Sequence, residues 1–121
     1  MSFLGLVPDS SVASLEPRGG NELISAEQFV ERLHLRLQDM ERTLAEDEQL
    51  EVVTFLPSGK AIAVEAVGFE NPALVILYGQ EQGTGKPSTL LAHQSSVQVL
   101  VSVEPILLGE TRKTLRFTPE K

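Results

Sequence analysis

The chain has 121 residues, 41% of them hydrophobic, with no cysteine and a formal net charge of -7. That length points to one domain with a modest core, and the hydrophobic content excludes disorder by composition. Without cysteine there is no disulfide, thiolate metal site or cysteine nucleophile, and the acidity disfavours duplex DNA and anionic membranes as partners.

Residues 1–22 hold Pro8, Pro17, Gly19, Gly20 and four serines, which reads as an irregular N-terminal arm. Its tip, Phe3, Leu4, Leu6 and Val7, is apolar, but no basic segment precedes it and Asp9 follows, a poor match to a signal peptide. Ser2 fails the N-myristoylation pattern. No apolar run reaches the ~18 residues that a membrane helix needs, so a cytoplasmic protein without membrane contact is the expectation.

Residues 25 to 46 carry the clearest helix pattern. Ser25 is a good N-cap, Gln28 three residues later completes a capping box, and Ile24 and Phe29 are placed as a hydrophobic staple. Val30, Leu33, Leu37, Met40 and Leu44 alternate spacings of three and four, so they share one stripe, with Leu35 off it. The stripe spans about two heptads, short of a coiled coil, and suits a helix lying on a sheet. His34 borders the stripe as a boundary side chain. Glu46, Asp47 and Glu48 are disfavoured at a helix C-terminus, so the helix should end at or before Glu46.

Five strands follow. Residues 50–56 are rich in β-branched and apolar types, and Pro57, Ser58 and Gly59 turn the chain. Residues 60–67 alternate, with Ile62, Val64 and Ala66 on one face, and Gly68 marks a bulge or sharp bend. Asn71-Pro72 signals a turn. Residues 73–78 are almost wholly apolar, as in a central strand covered on both faces. Residues 79–87 read as a hairpin loop, and residues 89–93 and 97–103 are the last two strands, stopped by Pro105. The expected architecture is α+β: a 23–105 domain in which one helix packs on a five-stranded, strongly bent antiparallel sheet or small barrel. The tail, 106–121, can add an edge strand near residues 114–117.

Few chemical motifs survive scrutiny. Gly83-Thr84-Gly85-Lys86 resembles part of a phosphate loop, but Gln80 and Pro87 break the pattern and a strand follows where a helix is required. A hairpin explains these glycines better. Two histidines, His34 and His93, are too few for a histidine metal cluster. Glu65 and Glu70 could serve as paired carboxylates only within a pocket. Ser95 and Ser96 beside His93 offer a nucleophile and a base with no evident orienting acid. The expectation is a non-enzymatic protein with no cofactor and no metal.

A terminal amphipathic helix followed by five short strands resembles the Sm-like fold, and in particular the Hfq family of bacterial RNA chaperones. The residues that carry the resemblance are Leu50 to Gly59 for the first strand and its turn, Phe69-Glu70-Asn71 after the second strand, Leu74 to Leu77 for the third, and Leu91-Ala92-His93 with Ser95-Ser96-Val97 near the end. The resemblance implies a homo-oligomeric ring joined by the fourth and fifth strands, with Leu90, Val97, Val99 and Val101 at the contact. It implies single-stranded RNA or a nucleotide in a pocket of Phe69, Asn71, Leu74 and His93. The chain departs from that family at Ala92, where the family has a lysine, at Leu91, where it has a tyrosine, and in the added Pro72-Ala73. Loss of the lysine removes a phosphate contact, the main affinity term for RNA. The chain is also similar to a set of short bacterial proteins of unknown function with a helix, an Asn-Pro turn and a Leu-x-His strand. The alternative role is a protein-interaction or scaffold subunit with no nucleic-acid ligand, whose arm and helix dock a protein partner.

Overall fold

The structure, a computed structural model, describes residues 24–117. The arm at 1–22 lies outside the described residues. One helix, α1 (Ala26–Glu41), packs on a sheet of β1 (Glu48–Phe55), β2 (Ala61–Glu70), β3 (Leu74–Glu81), β4 (Pro87–His93), β5 (Val99–Pro105) and the short β6 (Arg116–Phe117). The strand order is β4-β3-β2-β1-β5, antiparallel throughout, with β6 pairing in parallel with β2. The α+β class therefore holds, and the sheet stays open, with β4 and β5 at its ends and no closure into a barrel. Among the described residues no helix is long and apolar enough to cross a membrane.

The helix forms as its local signals demand. Gln28 N–H donates to Ser25 Oγ, and the Gln28 side chain accepts from the Ser25 N–H, so the capping box closes at both ends. Ala26, Val30 and Leu37 are buried, with Phe29, Leu33, Met40 and Leu44 packed around them, and Leu35 faces out. The α-helix stops at Glu41, earlier than residue 46. Thr43 and Leu44 N–H groups donate to the Met40 and Glu41 carbonyls, a tighter i to i-3 pattern that ends the α-helical ladder. No basic residue in the last turn offsets the dipole there.

The sheet differs from the sequence expectation at its glycines. Gly68 sits buried in regular register opposite Ile76; the bulge lies at Glu65, between Val64 and Ala66. The residue that permits it is Gly79, which is buried inside β3 opposite Val64 and not in the hairpin loop. A Cβ there would stand 2.0 Å from the Ala63 carbonyl oxygen, so only glycine lets the two backbones approach this closely. The hairpin loop is shorter than expected. Glu81 N–H donates to Lys86 O at 2.9 Å, and Gly83 and Gly85 take positive φ in the turn. The phosphate-loop fragment is therefore a hairpin turn.

The third strand is also less enclosed than its composition suggests. Val75 and Leu77 are fully buried, whereas Ile76 and Tyr78 on the opposite face are half-buried. The helix covers only one side. The core combines Val30 and Leu37 with Leu50, Val52, Val64, Val67, Val75 and Leu77. Burying each such side chain contributes about 1.5–3 kcal/mol before entropy is counted.

The strands β1 and β2 stay paired over only three positions, Val53 to Phe55 against Ala63 to Ala61. Beyond them the two strands diverge, and the tail enters the wedge. Its β6 pairs with Ala66 and Val67 of β2. Phe117 then stacks on His34 of the helix, with ring centroids 4.1 Å apart and planes 15° from parallel.

Candidate functional site

Three segments converge at the N-terminal end of α1: the start of the helix, the β2–β3 turn at residues 71–73, and the turn of 3₁₀ helix at Gln94–Ser96. The first N–H groups of a helix have no partner within it. Here the β2–β3 turn supplies two. Ala26 N–H donates to Pro72 O at 2.7 Å, and Glu27 N–H donates to Asn71 Oδ1 at 3.1 Å. Gln28 N–H takes Ser25 Oγ, so the helix end is completely satisfied. Asn71 Nδ2 donates in turn to the Glu27 carboxylate at 3.3 Å. The Asn71 side chain is therefore a cap for a helix 44 residues away in sequence.

Gln94 ties the third segment in. Its N–H donates to Ala73 O, and its side-chain amide donates to Ile24 O. Gln94 was not visible as a site residue in the sequence, because a glutamine after a strand has many solvent-facing roles and its partner lies 70 residues away.

The convergence leaves an open recess of about 320 Å3, lined by Glu70, Asn71, Pro72, Ala73, Leu74 and His93. Leu74 and His93 are register partners across β3 and β4, which is why they share a wall. Its size is at the lower end for small-molecule sites. The structure thus brings Asn71, Leu74 and His93 together. Phe69 stands apart, half-buried beside Val30, His34 and Phe117 in a separate recess against the helix.

His93 caps the 3₁₀ turn. Its Nδ1 accepts from Ser95 N–H at 3.1 Å and lies 2.8 Å from Ser95 Oγ. Because Nδ1 accepts from a backbone amide, the neutral ring carries its proton on Nε2. The hydroxyl-to-ring distance falls within general-base range. However, the same nitrogen is held by the backbone of the turn, and among the described residues no carboxylate bonds Nε2 to orient it. The arrangement is that of a turn cap, with an Nε2–H free to donate outward. Among the described residues no lysine or arginine lines the recess, and Glu70 makes its rim acidic.

At the sheet ends, Leu90, Val97, Val99 and Val101 are half-buried and pack on the core of their own domain. The apolar side chains that reach solvent from β4 and β5 are Leu91, Leu100 and Val103, each more than half exposed. No protein-family model matches the chain, and neither a curated protein nor a solved structure is significantly similar to it.

Proposed function

We propose that the protein is a non-enzymatic binding module that assembles with copies of itself edge to edge. In this reading β4 of one copy lies beside β5 of the next, and the recess at Asn71, Leu74 and His93 takes a base of short single-stranded RNA or a nucleotide. One observation carries it: among the described residues the fourth and fifth strands, the pair that an Sm-like ring joins, are the two open ends of the sheet, each seven residues long. An open edge presents unpaired backbone groups, and proteins cover or disrupt such edges. Here the edge strands expose Leu91, Leu100 and Val103, and the one carboxylate on them, Glu104, is paired with Lys113. Head-to-tail pairing of two different edges closes into a ring when the rotation allows. Leu90, Val97, Val99 and Val101 then support the contact from the inner face.

At the recess, the apolar wall of Pro72, Ala73 and Leu74 suits a flat base, and the His93 Nε2–H is a donor for it. Light scattering and filter binding test the two halves separately. An oligomer that retains oligo-U or oligo-A, more weakly at higher salt, is the expected result. A monomer removes the ring. An oligomer with no salt-sensitive binding tighter than high micromolar removes the RNA ligand and leaves the scaffold reading.

That second reading has its own support. The Asn71 amide is engaged with Glu27, His93 Nδ1 is engaged with Ser95, and among the described residues no basic side chain is at hand for a phosphate. Under it the edges assemble and a protein, not a nucleic acid, is the partner.

A further inference from the structure

We propose that residues 112–117 are an exchangeable strand: the wedge between β1 and β2 is a binding cleft that accepts this segment from a second copy of the chain as well as from its own. The proposal stands apart from edge-to-edge assembly, because it uses neither β4 nor the open edge of β5.

The wedge exists because β1 and β2 separate after three paired positions. That leaves the backbone of β2 at Ala66 and Val67 open to a further strand, and β6 takes it. The segment carries its own docking groups. The Arg112 guanidinium donates to the carbonyls of Ala45 and Glu48 at 2.8 and 2.9 Å. Lys113 N–H donates to Gln49 Oε1 at 2.8 Å, and Lys113 Nζ pairs with Glu104 at 3.0 Å. Leu115 and Phe117 add apolar contact with the core, and Phe117 stacks on His34. None of these contacts depends on the segment being joined to the same chain.

The tether is built to open. Residues 107–110 form an exposed turn closed by Glu110 N–H to Leu107 O, with Gly109 at φ +84°. Leu107 and Leu108 project into solvent there. Among the described residues the strand pairing covers Ala66 and Val67, and an open cleft of about 350 Å3 lies along the segment, bordered by Leu37, Leu50, Val52 and Val64 and by the charged Glu41 and Glu65. A segment with a solvent-open cleft along it is a seat that can be left and retaken. The second copy is the fitting occupant because its segment reproduces every contact, and reciprocal exchange gives a closed two-fold dimer with no new interface chemistry.

The absence of cysteine makes the test clean. Two full-length variants, Ala66→Cys and Arg116→Cys, occupy register partners across the β2–β6 pair, a placement within disulfide reach. They are mixed, refolded together and oxidised at concentrations approaching the about millimolar local concentration that a short tether imposes. A second mixture, His34→Cys with Phe117→Cys, traps the same segment at the helix. The expected result is a disulfide-linked heterodimer on a non-reducing gel in at least one mixture. It should exceed the two homodimers taken together, which is the amount that random pairing gives, and rise with protein concentration. Edge-to-edge assembly places neither cysteine pair together. Heterodimer no more abundant than the two homodimers together, in both mixtures, overturns the proposal. So does the formation of intrachain disulfides alone, at every concentration, by the two double variants that combine each pair.

Discussion

Strands β3 and β4 are hydrogen-bonded neighbours and are both rich in leucine, yet they live in different environments. In β3, Val75 and Leu77 are wholly buried; in β4, Leu91 is 60% exposed. The difference lies in what flanks each strand. The third strand has β2 and β4 at its sides and lies against α1, whereas among the described residues the fourth has a partner on one side only. Apolar character in β3 is a requirement of folding. In β4, Leu90 packs on the core, whereas Leu91 is surplus to folding, and such surplus at an edge is what an assembly surface needs.

Substitutions sharpen that contrast. The largest effect is expected from Leu77→Ala, which leaves a cavity in the core and should cost about 2–5 kcal/mol. Urea unfolding reads it as a lower midpoint with an unchanged slope. Next is Gly79→Ala in the same strand. The new Cβ meets the Ala63 carbonyl oxygen, and overpacking of this kind costs about 1–3 kcal/mol, or more where backbone must move. A wild-type midpoint for this variant would break the close-approach account of the bulge. Smaller again is Ser25→Ala, which removes the N-cap acceptor of Gln28 N–H and should cost about 1 kcal/mol. Asn71→Ala removes the neighbouring acceptor and should fall in the same range; loss of both together tests whether the two caps add. The smallest stability effect belongs to Leu91→Ser, within about 0.5 kcal/mol as for other exposed positions. If β4 is an assembly edge, that same change lowers the mass seen by light scattering while leaving the unfolding curve in place. A drop in stability matching that of Leu77→Ala would erase the distinction between the two strands.

What was legible in the chain was local. The capping box and the stripe from Val30 to Leu44 are written in neighbouring residues, and α1 follows them. The strand positions came from β-branched runs and turn residues, and each lies within a few residues of its place. The misplacements have non-local causes. Gly68 and Gly79 look alike in sequence; only the register of β2 against β3 decides which one stands beside the bulge at Glu65. The tail pattern near residues 114–117 suggested a strand at an edge. Its parallel seat on β2 depends on how far β1 and β2 stay together, and no single segment encodes that. At the recess, Asn71, Leu74 and His93 were nameable from sequence, and the structure sets them on one wall. The work that Asn71 does for the helix was not nameable, because its partner is 44 residues away. Phe69 was grouped with them by the family resemblance, and the structure turns it toward His34 and Phe117.

The caps at the start of α1 have a practical consequence. Two of its leading amides, Ala26 and Glu27, are bonded to Pro72 and Asn71, which also form the wall of the recess. Anything that settles in the recess and shifts that wall must lengthen or bend these bonds. The molecule therefore contains its own gauge. The proton chemical shifts and exchange rates of the residue 26 and 27 amides should move on occupancy, while Gln28, bonded to Ser25, serves as the internal standard that stays still.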